Sequence, residues 1–208
     1  MPTSRDALVI VDVQNDFCPG GALPVPRGDE VVPVLNEYIR SFAAADAPVF
    51  ASRDWHPAQT RHFRESGGPW PPHCVGGSPG AQFHPDLALP ESAVVISKGM
   101  DPIDHGYSAF DGVEAEGKSL ASSLHDRGIE RIYIGGLATD YCVRASVLDA
   151  CARGFNVVLL LDAIRGIDVH AGDVQRALEE MERAGARMAT LATLSAVESA
   201  QPGPGGSG

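Results

Sequence analysis

Three residues far apart in the sequence carry the means for nucleophilic catalysis: Asp12, Lys98 and Cys142. Cys142 closes the stretch GGLATDYCV, Gly135 to Val143, where an apolar run hands over to a helical pattern. A cysteine at such a junction is expected to be exposed at the end of a sheet. It faces unpaired backbone N–H groups and the positive end of a helix dipole, which favour thiolate over thiol. A thiol still needs a base or a positive neighbour to become a useful nucleophile. Asp12 can take the proton, and Lys98 can hold Asp12 and stabilise charge. Backbone N–H groups near Ala138 and Cys142 can form an oxyanion hole for a tetrahedral intermediate. The plain alternatives are a buried cysteine filler, a capping aspartate and a solvated lysine, but the three together are more specific than any one.

A second constellation is Asp54, His56, His62 and His73. Asp and His two apart on an extended segment point the same way, and the other two histidines lie in the loop that follows. One carboxylate and three imidazoles suit one divalent ion such as Zn²⁺, Fe²⁺ or Mn²⁺. The competing reading is a set of surface histidines. His84, His105, His125 and His170 read as ordinary surface or capping residues. Phe17, Trp70, Tyr107 and Tyr141 flank both constellations, and such rings build a flat slot for an aromatic ligand or simply pack. Cys18 and Cys74 lie near the motifs and read as packing residues.

These residues need elements that bring them together. Apolar runs predict strands over Ala7–Val13, Pro48–Ser52, Ala93–Ser97, Arg131–Leu137, Asn156–Leu161 and Arg187–Leu191. Helical spacing predicts helices over Asp29–Ala45 and Lys118–Asp126, from Cys142 to Gly154, and over Val169–Ala184. Strand and helix alternate, and the strands are uniformly apolar. The fold class is therefore α/β, a three-layer doubly wound sandwich around a mostly parallel six-stranded sheet. In such sheets ligands bind beyond the carboxyl ends of the strands. Asp12, Asp54 and Lys98 fall at the ends of the first three strands and Cys142 just past the fourth, so all four converge on one edge. The segment from Trp55 to Glu91 has little periodicity and is rich in Pro, Gly and His, as long functional loops are. One domain is expected over 1–200, with a disordered Gly/Pro/Ser tail over 201–208.

The chain has 208 residues and a net charge of −11, from 16 basic and 27 acidic residues. That balance argues against a nucleic-acid or anionic-membrane partner. No apolar stretch is long enough to span a bilayer, and the N-terminus lacks a signal-peptide pattern. The cysteines are scattered without a CxxC pair, so reduced thiols and a cytoplasmic location are expected.

Read together, the motifs resemble a known family. VDVQNDFCPGGAL (Val11 to Leu23), RDWHP (Arg53 to Pro57), WPPHCV (Trp70 to Val75), the lysine of SKG (Lys98), YSAF (Tyr107 to Phe110) and GLATDYCV (Gly136 to Val143) resemble, in order, the nicotinamidases or pyrazinamidases. These belong to the isochorismatase-like cysteine hydrolases. The resemblance implies that Asp12, Lys98 and Cys142 form a catalytic triad, and that Asp54, His56, His62 and His73 ligate a divalent metal that binds the ring nitrogen of nicotinamide. It implies a cis peptide at Leu137–Ala138, with the Ala138 and Cys142 N–H groups as the oxyanion hole. Phe17, Trp70, Tyr107, Leu137 and Tyr141 are the implied substrate-binding residues. The implied reaction is deamidation of nicotinamide to nicotinic acid and ammonia through a cysteine thioester, in NAD salvage, with pyrazinamide a further substrate. The implied partner is a small aromatic amide, and the protein a monomer or homo-oligomer. Alternatives are hydrolysis of another small amide on the same fold, or a metal-binding protein without activity.

Overall fold

The computed structural model describes residues 2–103 and 106–194. His105 and the 201–208 tail therefore lie outside the described residues. Among the described residues six strands form one sheet: β1 (Asp6–Val11), β2 (Val49–Asp54), β3 (Val94–Lys98), β4 (Arg131–Leu137), β5 (Asn156–Arg165) and β6 (Arg187–Ala189). Their order is β3-β2-β1-β4-β5-β6 and every pairing is parallel. Alternate residues of β1 explain the layering. Leu8 and Ile10 enter one apolar cluster, and Ala7, Val9 and Val11 enter the other. The first cluster is covered by α1 (Val31–Ala44), which buries Val32, Leu35, Ile39 and Phe42 at helical spacing. The second is covered by α2 (Leu120–Asp126), α3 (Arg144–Ala152) and α4 (Asp173–Arg183). The molecule is thus a doubly wound α/β sandwich.

The chain builds outward from β1 in one direction and from β4 in the other, so the order reverses between these two strands. A crevice opens at such a switch point, beyond the carboxyl ends of the strands. Asp12 follows β1, and the Cys142 turn follows β4. The two strands approach so closely there that a Cβ on Gly136, at φ +125°, would lie 2.1 Å from the Val11 carbonyl oxygen. Only glycine fits.

Several boundaries differ from the sequence expectation. β1 stops at Val11 because Asp12 takes a left-handed φ of +51°, which ends the strand and turns its carboxylate into the crevice. β5 runs four residues past Leu161, to Arg165; Asp162 breaks the apolar run without breaking the strand. Its register shifts against β4 between Ile134 and Gly136. β6 ends at Ala189 rather than Leu191, and α4 starts at Asp173 rather than Val169. Before α3, residues Thr139–Val143 form a π-helical turn, so Cys142 lies inside the turn rather than at the start of a regular helix. Among the described residues no helix is long and apolar enough to cross a membrane.

Candidate active site

Strand register brings the first constellation together. Asp54 and Lys98 are direct partners at the ends of β2 and β3, and Asp12 follows Val11, the partner of Ser52. Lys98 Nζ lies 2.8 Å from Asp12 Oδ2 and 3.5 Å from Cys142 Sγ, and donates to the Gly106 carbonyl at 2.9 Å. It also pairs with Asp54 Oδ1. Asp12 Oδ1 accepts from Ser52 Oγ at 2.7 Å. Asp12 Oδ2 has only its ion pair with Lys98 and no further hydrogen-bond partner. One carboxylate oxygen of Asp12, one of Asp54 and Cys142 Sγ lie within 4.8 Å of one another.

The electrostatics correct one expectation. Cys142 is only 6% exposed. Burial pushes its thiol well above the ordinary range, the Lys98 ammonium pulls it down, and Asp12 and Asp54 push it up again. The resting sulfur is therefore a thiol. Burial outweighs the backbone N–H groups and dipole of the turn. Burial also raises Asp12 against the pull of Lys98, which brings a carboxylate closer to the basicity that proton abstraction needs. For Lys98, burial disfavours the charge, but Asp12 and Asp54 overcome it and hold the ammonium firmly protonated.

The second constellation adjoins the first through Asp54. His56, His62 and His73 are all buried, and each offers a ring nitrogen within 4.8 Å of the others. Asp54 Oδ2 lies 3.4 Å from His56 Nε2 and 3.9 Å from His73 Nε2. His56 Nδ1 donates to the Gly99 carbonyl at 3.0 Å and His73 Nδ1 to the Pro71 carbonyl at 2.8 Å, which leaves both Nε2 lone pairs facing inward. His56 Nε2 is buried with no hydrogen-bond partner. Burial lowers the His73 pKa and keeps that ring neutral. Burial opposes ionisation of Asp54, but the Lys98 ammonium outweighs it and keeps Asp54 a carboxylate. Imidazoles turned by backbone carbonyls, one carboxylate and an orphaned nitrogen fit a divalent metal. Surface histidines they are not.

Phe17, Trp70, Tyr107 and Tyr141 line the slot between the constellations, with Ala138 and Cys142 on its wall. Trp70 Nε1 donates to Tyr107 Oη at 3.0 Å, and the Trp70 and Tyr141 rings meet edge to face at 5.0 Å. The Leu137–Ala138 peptide is cis. The Leu137 side chain is fully buried in the core and is not on the slot wall; it packs beneath the site. His84, His125 and His170 do not line the slot: His84 Nδ1 accepts from Asp86 N–H, His125 Nδ1 donates to the Ala121 carbonyl while its ring meets that of Phe155 at 5.0 Å, and His170 lies beside Asp173. All four cysteines are free, and Cys18 and Cys74 are packed in the core.

The sequence reading missed several residues. Leu23 and Ile167 line the slot, but an apolar residue in a loop carries no chemical signature. Buried Gln14 grips the Asp54 backbone at both groups: its Nε2 donates to the Asp54 carbonyl and its Oε1 accepts from the Asp54 N–H, each at 2.8 Å. Asp16 accepts from the N–H groups of Ala22 (3.1 Å) and Cys74 (2.7 Å), tying the loop that carries Leu23 to the loop that carries His73. Their spacing from Asp12 along VDVQND was the only available signal.

A buried thiol beside a carboxylate and an ammonium, at the switch point of a doubly wound sheet, defines a cysteine hydrolase. The Isochorismatase domain family matches residues 6–193, and the chain belongs to that family. It is 42% identical over 202 residues to the Nicotinamidase of Escherichia coli, an alignment that covers 89% of this chain and 95% of that protein. It is 41% identical over 183 residues to the Nicotinamidase/pyrazinamidase of Mycobacterium tuberculosis, with 86% and 95% covered. Among solved structures, the pyrazinamidase of Pyrococcus horikoshii in complex with zinc superposes with a TM-score of 0.83 at 51% identity, covering 90% of this chain and 99% of that one.

Proposed function

We infer that this chain hydrolyses nicotinamide to nicotinic acid and ammonia, a deamidation in pyridine nucleotide salvage, and acts on pyrazinamide as well. The observation that carries the reading is the shared Lys98: it pairs with Asp12 beside the nucleophile and with Asp54 beside the three imidazoles, so both constellations face one aromatic slot. When bound, a divalent metal held by Asp54, His56, His62 and His73 supplies a Lewis-acid anchor for a ring nitrogen.

The chain's own groups do the rest. Asp12 takes the proton of Cys142 through Oδ2, whose one other partner is the Lys98 ammonium, and Lys98 stabilises the thiolate as it forms. The sulfur attacks the amide carbon, and the N–H groups of Ala138 and Cys142 hold the oxyanion. Asp12 returns the proton to the departing nitrogen, which leaves as ammonia. Water, with Asp12 as base, then cleaves the thioester, releasing nicotinic acid and restoring the thiol. Phe17, Trp70, Tyr107 and Tyr141 hold the ring flat. The intact triad favours this over an inactive metal-binding protein. The four free thiols favour a reducing compartment such as the cytoplasm. The family match over 6–193 supports a single domain.

The test is ammonia release from nicotinamide by the metal-loaded protein. Cys142→Ala is expected to lower it by roughly a thousandfold or more while the protein still melts cooperatively. No ammonia from the native protein would reject the assignment.

A further inference from the structure

Asp140 stands between the two halves of the nucleophile turn, two residues after Ala138 and two before Cys142. Its carboxylate is not used by the chemistry above. Nor does it pair with the neighbouring arginines, since Arg144 pairs with Glu180 and Arg176 with Asp173. Instead both oxygens accept backbone N–H groups from the loop that follows β5: Oδ1 from Ile167 at 3.0 Å and Oδ2 from Asp168 at 2.8 Å. Two charge-assisted bonds to consecutive amides fix the loop in position and in rotation.

The loop is held from its other side too. Asp168 sits at a left-handed φ of +55°, and its Oδ1 accepts from Val174 N at 3.1 Å, at the start of α4. A Cβ on Gly166 would lie 2.3 Å from Val174 Cγ2 and 3.0 Å from Asp140 Oδ1, so the loop is pressed against both. Ile167, in the middle, lines the slot together with Cys142 and Tyr141.

We propose that Asp140 is a specificity-determining positioning residue: it locks the Ile167 wall of the slot to the turn that carries the nucleophile, so that ring and sulfur keep one register. This rests on the proposed function for the identity of the ring. It concerns substrate fit rather than bond breaking, so its signature lies in KM.

The experiment compares Asp140→Asn, Ile167→Ala and the double variant in nicotinamide hydrolysis, with amide hydrogen exchange read at Ile167 and Asp168 by NMR. In Asp140→Asn the side-chain amide faces one of the two N–H groups and loses that bond. KM is expected to rise about tenfold with kcat within about threefold, the size of one lost bond to a charged group. Exchange at Ile167 or Asp168 is expected to quicken at least about tenfold, local opening being the readout. In the Ile167→Ala background the same substitution is expected to raise KM less than about twofold, because the wall it positions is gone. A fall in kcat at unchanged KM, independent effects in the double variant, or unaltered exchange would each overturn the proposal. A native protein that releases no ammonia from nicotinamide would overturn the function instead, while exchange would still show whether Asp140 holds the loop.

Discussion

Asp12 divides its two oxygens between two tasks. Oδ1 is fixed by the Ser52 hydroxyl at 2.7 Å, while Oδ2 faces Lys98 and the thiol. The Ser52 bond favours the ionised carboxylate, against the burial that raises its pKa. Ser52→Ala removes that bond and must raise Asp12 further. The proposed base has to be ionised to work, so activity is lost at a higher pH than in the native protein. The acid limb of kcat/KM is expected to move up by about one pH unit, with the plateau above it kept, since a hydrogen bond to a charged group contributes about 1.5 kcal/mol. Ser52→Thr keeps the hydroxyl and should restore the native limb. A pH profile that Ser52→Ala leaves in place would show that Ser52 only fills space. At this scale the sequence pointed to the residues that the fold brings together. Asp12, Lys98, Cys142, Asp54 and the three histidines were legible because charged and ligating side chains in apolar surroundings require a partner. The protonation state of Cys142 was not legible, because burial depends on everything packed over it.

Elements position these residues through register, and register rests on ties within and around the sheet. β5 shows how a polar residue can belong to a strand. Asp162 Oδ1 accepts from the Tyr38 hydroxyl at 2.9 Å and Oδ2 from Leu191 N at 2.9 Å, joining α1, β5 and the segment after β6. Asp162 hid the second half of β5 from a reading based on apolar runs, since neither partner is near it in sequence. β1, β3 and the first half of β4 were legible because their apolar runs are unbroken. The long 55–91 segment was legible only as functional, because its shape comes from contacts such as those of Gln14 and Asp16 rather than from periodicity. Burial, and then the facing Asp162, raise the Tyr38 pKa above its ordinary 10.0. For a raised pKa the stabilising protonated form is fully favoured below the unfolded value and is lost as pH climbs past it. Tyr38→Phe is expected to cost about 1 kcal/mol in urea unfolding at pH 7, the size of a buried hydrogen bond. Above about pH 10 the native protein should lose this advantage by about 1.4 kcal/mol per unit, so the two proteins converge and then cross by about pH 11. A gap that stays constant across that range would mean that Tyr38 ionises as freely in the folded protein as in the unfolded one.

The whole molecule separates scaffold from site. Two apolar clusters, one on each face of the sheet, run the length of the strands, while the proposed metal ligands sit at the carboxyl edge. Contacts from the Gln14 side chain and the Gly99 and Pro71 carbonyls orient the proposed metal ligands Asp54, His56 and His73 using the protein alone. The fold therefore does not depend on the metal in the way a zinc finger does, and the slot should be largely formed without it. Stripping the protein with a chelator is expected to leave the far-ultraviolet dichroism and the cooperativity of unfolding intact. Tm should fall by only about 6–12 °C, the linkage expected when about 3 kcal/mol of metal binding is withdrawn from a domain of this size. Nicotinic acid binding, followed by calorimetry, should weaken at least about tenfold, because the ring nitrogen loses its anchor. Re-adding Zn²⁺ should restore both. Two results would separate a structural role of the metal from a binding role. A stripped protein that melts without cooperativity would show that the metal holds the fold. One that binds nicotinic acid as tightly as before would show that the aromatic slot alone recognises the ring, leaving Asp54 and its three histidines some other task.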